Sequence, residues 1–231
     1  MLISKQLYRS LRLMAALALV GMMAQGCAEE SSTVDQSRIY TIYEVFYDAN
    51  EDKSYARATF RFGNALGTLL RLSANATVTF DGDLMTYQPA GYYEKAYSGF
   101  KTGGTFVYED LDGNTYTNSV AGIKPIAFPS QALSLSKAAD TPLAWTGDPL
   151  GPNGSAVENA GLLVGPKLFL ALDLNATSIL VNGSRLADLT NGPAIAIMDR
   201  YFIRELSEKT DAGGSITGKY RALNKSVEVT N

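Results

Sequence analysis

The chain has 231 residues, no histidine and one cysteine, and its 20 basic against 23 acidic side chains give a formal net charge of −3. This balance argues against nucleic acid as a partner. Without an imidazole, a Ser-His-Asp triad, a Cys-His pair and a histidine-ligated zinc site are excluded, so we expect no enzyme.

The first 26 residues are predicted to be a secretory leader. Three basic residues precede an uncharged apolar run over 13–24, and this run falls short of the roughly 20 residues that span a bilayer as a helix. Gly26 ends the leader, and Cys27 follows it directly. Small residues before a cysteine at this place resemble the lipobox of bacterial lipoproteins, which implies cleavage after residue 26 and acylation of Cys27. The alternative is a simple secretory leader with a chance cysteine.

The lipobox resemblance also implies a location and a membrane partner. Ala28, not aspartate, follows the cysteine, which implies an outer-membrane lipoprotein of the bacterial envelope and leaves the periplasmic or surface face open. An acylated Cys27 leaves no thiol for a disulfide or for catalysis. Residues 27–37 are small and polar without apolar periodicity, so they are predicted to be a lipidated tether.

From Arg38 onwards the chain has the short apolar and alternating runs of an all-β protein. The run 39–47 is rich in β-branched and aromatic residues, and 55–62 alternates, so that one face is expected in the core. Asp81-Gly82 and Asp112-Gly113 predict tight hairpins, because a type I′ turn needs positive φ at both central residues. The strand pattern lapses at 120–129, where we place a domain boundary.

The second half repeats this pattern of strands. Alternating or apolar runs occupy 168–174, 179–181, 194–198 and 216–222. The run 194–198 is predicted to be buried, and the stretch 200–209 has a short helical alternative. The hexapeptide that begins at Leu72 is echoed at Leu172, so duplication of one unit is left open.

The strand pattern resembles the tandem immunoglobulin-like β-sandwich modules of bacterial surface lipoproteins over nearly all of 38–231. The resemblance implies an all-β fold of two sandwich domains, 38–124 and 125–231. It rests on strand pattern and hairpins, since the antibody Cys-Trp-Cys framework is absent. Trp145 is therefore predicted to fill the core of the second domain, with a ligand platform as the alternative.

Two predicted turns carry alternating oxygen-bearing side chains that could face one calcium ion. They are Asp48, Asn50, Asp52 and, further on, Asp110, Asp112, Asn114. Neither completes an EF-hand, because the glycine position is Lys53 in the first and Thr115 in the second. Aspartate and asparagine are also what β-turns require, so turn formation is the favoured alternative to bound calcium.

Tyrosines are concentrated in the first half, and Tyr92, Tyr93 and Tyr97 share a glycine-bounded segment. A tyrosine has an apolar ring and a polar tip, which suits a sugar face or a protein partner. The alternative is that these residues fill sheet faces and cross-strand pairs.

The last candidates are four charged residues in and after an apolar run: Asp199, Arg200, Arg204 and Glu205. We expect them to pair as a surface network. The less favoured alternative is that one of their carboxylates lies in a cleft.

The sequence as a whole therefore predicts a lipid-anchored envelope protein that binds or scaffolds a glycan or an envelope protein without catalysis. One alternative is a polysaccharide hydrolase that uses carboxylates, and another is a purely structural spacer.

Overall fold

The structure is a computed structural model that describes residues 28–231. The predicted leader and the predicted lipid acceptor Cys27 lie outside the described residues. The described part is all-β, as expected, with short 3-10 helices at Ser31–Thr33, Gln36–Arg38 and Gly183–Leu186. Within it, no helix is long and apolar enough to cross a membrane.

The strands of the first half run from two to ten residues. They are β1 (Glu29–Glu30), β2 (Ile39–Asp48), β3 (Lys53–Phe62), β4 (Leu69–Arg71), β5 (Thr77–Phe80), β6 (Asp83–Leu84), β7 (Thr86–Gln88), β8 (Tyr92–Ser98), β9 (Gly104–Glu109) and β10 (Thr115–Val120).

The strands of the second half include the longest in the described chain, β18. They are β11 (Ser134–Ser136), β12 (Thr141–Ala144), β13 (Pro152–Asn153), β14 (Ala156–Val157), β15 (Asn159–Val164), β16 (Lys167–Ala171), β17 (Ser178–Val181), β18 (Gly192–Glu205), β19 (Gly214–Arg221) and β20 (Lys225–Thr230). The stretch with a helical alternative, 200–209, begins as strand, because β18 continues to Glu205.

One large sheet runs through both halves of the chain. Its main path is β1-β4-β3-β2-β19-β18-β15-β16, with β8 and β7 added beside β3 and with β20 and β11 added beside β18. The two halves join where β19 lies parallel to β2. A four-stranded sheet, β10-β9-β5-β6, covers the inner face of the first half, and the β12-β17 pair covers that of the second.

The first core lies between the large sheet and the four-stranded sheet, and it is rich in aromatic rings. Tyr43 of β2 stacks on Phe106 of β9 with ring centroids 4.3 Å apart. Phe60 of β3 packs against Tyr108 at 4.7 Å. The later strands contribute as well, because Phe202 of β18 and Ile216 of β19 belong to the same cluster. The first core is therefore built from both halves of the chain.

The second core is aliphatic and lies between the large sheet and the β12-β17 pair. Leu162 and Met198 of the large sheet pack with Leu143 and Ile179 of the pair. Trp145 is 7% exposed in this core, and its indole N–H donates to the Asp148 carbonyl at 3.2 Å. The prediction that Trp145 fills the second core is confirmed.

The two cores are tied together by shared strands. β18 places Met198 in the second core and Phe202 in the first, while Tyr220 of β19 packs against both. The cores therefore do not divide the chain at residue 124, and the division into domains 38–124 and 125–231 stays a prediction.

The prediction that residues 27–37 form a tether is wrong for residues 28–37, which the structure describes. Glu29 and Glu30 pair in parallel with β4, and Ser31 and Gln36 are buried. The Ser31 hydroxyl accepts a hydrogen bond from the Ser73 N–H at 2.9 Å, and the Gln36 amide donates to the Ser31 carbonyl at 2.7 Å. Polar composition suggested a free linker, but Ser31 finds a partner 42 residues away, which composition cannot reveal.

Candidate functional site

A cleft of about 720 Å³ opens between the two cores, and we call it the junction cleft. The junction cleft is lined by four segments: the end of β2, the turn after β2, the loop at 126–130 and the segment from β19 to β20. The residues that matter for its chemistry are Tyr47, Asp52, Phe128, Tyr220, Leu223, Asn224 and Lys225.

One side of the junction cleft is formed by packed aromatic rings. The Tyr47 and Tyr220 rings lie 4.9 Å apart, and Phe100 packs against each of them at 5.1 Å. Tyr47 and Tyr220 face each other because β2 and β19 are paired in parallel with these two residues in register. Each ring packs against the other two, so the rings restrict one another's positions.

Asp52 supplies a carboxylate to the junction cleft from the turn between β2 and β3. Its backbone has a φ of 50°, a conformation that aspartate tolerates better than most side chains. The Tyr47 hydroxyl donates to the Asp52 carboxylate at 2.9 Å. Burial, together with this hydrogen bond, raises the pKa of Tyr47 to about 12. Tyr47 therefore stays protonated and orients the carboxylate.

The remaining polar groups of the cleft are fixed by contacts between distant segments. The Lys225 ammonium donates to the carbonyls of Pro129 and Ser130, which holds the loop beside Phe128. The Asn224 N–H donates to the Asn50 side-chain oxygen at 2.9 Å. The cleft is thus preformed, and Leu223, 64% exposed, adds apolar surface at its rim.

The first predicted calcium turn is an ordinary turn that borders the junction cleft. Asp48 accepts hydrogen bonds from the N–H and the amide of Asn50 at 2.9 and 2.8 Å. Asp52 lies in the same turn and is engaged by Tyr47. Calcium binding at this turn stays a prediction, and the observed contacts account for these residues without an ion.

The second predicted calcium turn lies away from the junction cleft, between β9 and β10. Asp110 is buried and accepts from the N–H groups of Asp112 and Asn114 at 2.9 and 2.8 Å. The hairpin predicted through Asp112-Gly113 is confirmed, but the tight type I′ turn is wrong, because Glu109 pairs with Thr115 and the loop spans residues 110–114. Among residues 28–231, no group of three or more acidic side chains is placed to hold a metal.

The three predicted ligand-binding tyrosines do not share a surface. Tyr93 is buried against Phe60, and its hydroxyl accepts from the Leu72 N–H at 2.8 Å. Tyr97 lies on the same face, and its hydroxyl donates to the Phe80 carbonyl at 3.1 Å. Tyr92 points to the opposite face of the sheet. Strand alternation separates adjacent tyrosines in this way, so the three cannot form one binding surface.

The outer face of the large sheet carries a network of cations and rings beside Tyr92. Arg57 donates to Glu94 at 2.7 Å and lies over the Tyr92 ring at 5.2 Å. Phe46 stands on this outer face but is only 8% exposed, because Lys219 and Arg221 cover its ring at 4.9 and 5.1 Å. These cations stabilise the sheet face.

Asp199 belongs to this network, while its neighbour Arg200 does not. Burial opposes ionisation of Asp199, but hydrogen bonds from Arg221 and the charge of Lys219 hold its pKa below the ordinary value. Arg200 points inward and pairs with Glu158, both almost fully buried. The expectation that these residues form a single surface network is wrong for Arg200, since successive strand residues face opposite sides.

Most of the residues that line the junction cleft were not identified from the sequence. Asp52 was singled out, as a candidate calcium ligand, whereas Phe128, Tyr220 and Lys225 were not. The only available signal was the aromatic ending of the 39–47 run at Tyr47. Nothing in the sequence shows that this strand end meets Tyr220, more than 170 positions later.

Comparisons with known proteins do not assign the chain to a family. No family model matches it, and no curated protein matches it. A solved structure of a 1.5-MDa bacterial ice-binding adhesin, studied for host cell surface retention, is 12% identical over 84% of this chain and 65% of that chain, with a TM-score of 0.25.

A second solved structure is of a Ca²⁺-stabilised adhesin with which an Antarctic bacterium binds ice. It is 14% identical over 83% of this chain and 49% of that chain, with a TM-score of 0.26. This chain thus spans less than two thirds of either protein chain. Scores this low support no inference about a ligand or a partner.

Proposed function

We propose that the chain is a non-catalytic binding module of the bacterial cell envelope and that the junction cleft takes a saccharide. The observation that carries the proposal is the preformed cleft, in which an aromatic wall meets a carboxylate, an amide and an ammonium group. Ligand pockets typically enclose about 300–1,000 Å³, a range that includes this cleft. Apolar sugar faces suit the rings, and sugar hydroxyls suit Asp52 and Asn224.

A carboxylate-based polysaccharide hydrolase is less well supported by the same cleft. Glycosidases use two carboxyl groups on opposite sides of the scissile bond, about 5–10 Å apart. Among the described residues that line the junction cleft, Asp52 is the only carboxylate. A purely structural spacer, in turn, leaves the cleft without a role.

The proposal includes anchoring through a lipid on Cys27, at the outer membrane. Ser31 is buried, and β1 is paired with β4, whose Leu70 belongs to the first core. An anchor at Cys27 would then be separated from the folded part by only a few residues. This would hold the first core close to the membrane, in contrast to a module on a long flexible linker.

Screening the purified chain on a glycan array, followed by calorimetry with the bound sugar, tests the proposal. Asp52→Asn keeps the side-chain shape and suits the left-handed backbone, and it should weaken binding about tenfold through loss of a charged acceptor. Asp81→Asn is the matched control, because Asp81 has the same φ of 50° and also accepts a hydrogen bond, from the Thr105 N–H.

Three results would contradict the proposed function. If no glycan binds, or if the two asparagine variants weaken binding equally, the junction cleft is not the saccharide site. If the bound glycan is hydrolysed and Asp52→Asn abolishes turnover, the module is an enzyme.

A further inference from the structure

The strand β16 forms an exposed edge of the large sheet. Within the described residues it pairs only with β15. Phe169 and Ala171 point into the second core, whereas Leu168 and Leu170 are 48% and 45% exposed, and Leu172 just beyond is 56% exposed. Edge strands usually avoid such apolar surface, because unpaired backbone groups beside it form a template for another strand.

The hairpin geometry shows which backbone groups of β16 are free to pair. Val164 and Lys167 are partners across a two-residue turn whose first residue, Gly165, has a φ of 55°. In such a turn the two flanking residues, here Val164 and Lys167, form a pair joined by two backbone hydrogen bonds. Further along the two strands, hydrogen-bonded pairs alternate with pairs that are not hydrogen-bonded. The N–H and C=O groups of Leu168 and Leu170 therefore point away from β15, toward the open edge.

We propose that β16 pairs antiparallel with β16 of a second copy of this chain, about a two-fold axis that passes beside Leu170. In this register Leu170 faces the second copy's Leu170, and Leu168 faces the second copy's Leu172. The outward backbone groups meet as hydrogen-bonded pairs, and the exposed leucines become cross-strand neighbours on one face. A two-fold contact of this kind uses the same surface on both copies.

Charge complementarity selects this register over its neighbours. An axis at Leu170 places Lys167 opposite the second copy's Asp173, and symmetry repeats the pair at the other end. An axis at Phe169 places Lys167 opposite alanine, and an axis at Ala171 places Asp173 opposite phenylalanine. Lys167 already pairs with Asp188 of its own chain at 2.8 Å, but an ammonium has three donors.

The surface beside the edge is concave where β16 faces β17. A depression of about 490 Å³ runs along β16 and is bordered by Leu168, Leu170, Leu180 and Arg185. Leu180 is 51% exposed there. A strand added to β16 would cover this depression and its apolar border.

Cysteine cross-linking of the chain expressed with its own leader tests the register. Facing residues of a hydrogen-bonded antiparallel pair have Cα atoms about 5.5 Å apart, which suits a disulfide. Leu170→Cys should therefore form a disulfide-linked dimer under oxidation. The unsubstituted chain controls for Cys27, and Ile195→Cys controls for random collision, because Ile195 is exposed to a similar degree, 57%, on β18.

Charge reversal tests the same register without a covalent bond. Asp173→Lys should weaken dimerisation about tenfold in sedimentation, since it sets like charges against each other at both ends. Adding Lys167→Glu to this variant should restore the dimer. Thermal unfolding of each variant checks that the fold is kept.

Three results would overturn the proposal. The first is an unsubstituted chain that stays monomeric at all concentrations. The second is cross-linking that is no stronger at Leu170→Cys than at Ile195→Cys. The third is a dimer that Asp173→Lys leaves unchanged.

Discussion

At the scale of single residues, the most consequential contact is the buried ion pair of Arg200 and Glu158. Their side chains are 2% and 1% exposed. Arg200 also donates to the carbonyls of Asp148 and Pro149 at 2.8 and 2.9 Å, and Glu158 accepts from the Gly151 N–H at 2.9 Å. The pair therefore ties the loop after Trp145 to β15 and β18. Burying two charges is costly, so this contact specifies the loop position more than it adds stability.

We expect Glu158→Gln to lower the free energy of unfolding by about 3–5 kcal/mol, because it leaves the buried Arg200 charge without an anionic partner. The double variant Glu158→Leu with Arg200→Met should lose much less. Urea unfolding of the three proteins measures the difference. Glu205→Gln, which removes an exposed ion pair with Lys209, is the control and should change little. Equal losses for the single and the double variant would show that the charge itself is not the cause.

At the scale of elements, β19 depends on a glycine where two layers meet. A Cβ atom at Gly218 would lie 2.4 Å from the Phe202 ring and 2.9 Å from Ile123. No side chain fits there unless the first core shifts. The strand alternation expected at 216–222 is correct, but alternation does not show why one position must be glycine.

Gly218→Ala should therefore destabilise the protein by about 1–3 kcal/mol through overpacking. Gly161→Ala in β15 is the matched strand control, because the nearest atom to its added Cβ would be 3.5 Å away. That variant should be neutral or slightly stabilising. Chemical denaturation followed by far-UV circular dichroism compares the two. A similar loss in both variants would mean that strand propensity, not the contact with Phe202, decides the effect.

At the scale of the whole molecule, strands are shared between the two cores, so we expect the cores to unfold together. β18 packs into both cores, and Tyr220 touches both. Separate unfolding of either core would expose part of a strand that the other core needs. Cooperativity follows from this sharing and from the continuous sheet.

We expect a single unfolding transition for the described fold. Trp145, the only tryptophan, reports on the second core, while far-UV circular dichroism reports on the whole sheet. Their denaturation curves should coincide, and Gly218→Ala in the first core should shift both equally. A tryptophan transition that stays in place while the circular dichroism curve shifts would show two independent domains.

The sequence by itself determined the β class, the strands at 39–47 and 55–62, and the hairpin at Asp81-Gly82. These follow from local rules, because side-chain alternation and positive φ act within a few residues. The local rules failed for the run 194–198, expected to be buried, since Ile195 is 57% exposed. Burial depends on which layers cover a strand.

Only the tertiary structure decided the junction cleft, the buried Arg200–Glu158 pair and the docking of residues 28–37. Each joins positions far apart in the chain, such as Tyr47 with Tyr220 or Ser31 with Ser73. Sequence spacing carries no information about such distances, because sheet order can bring any two strands together. Local sequence patterns thus established where the strands lie in the chain. Long-range strand pairing established which side chains contact one another.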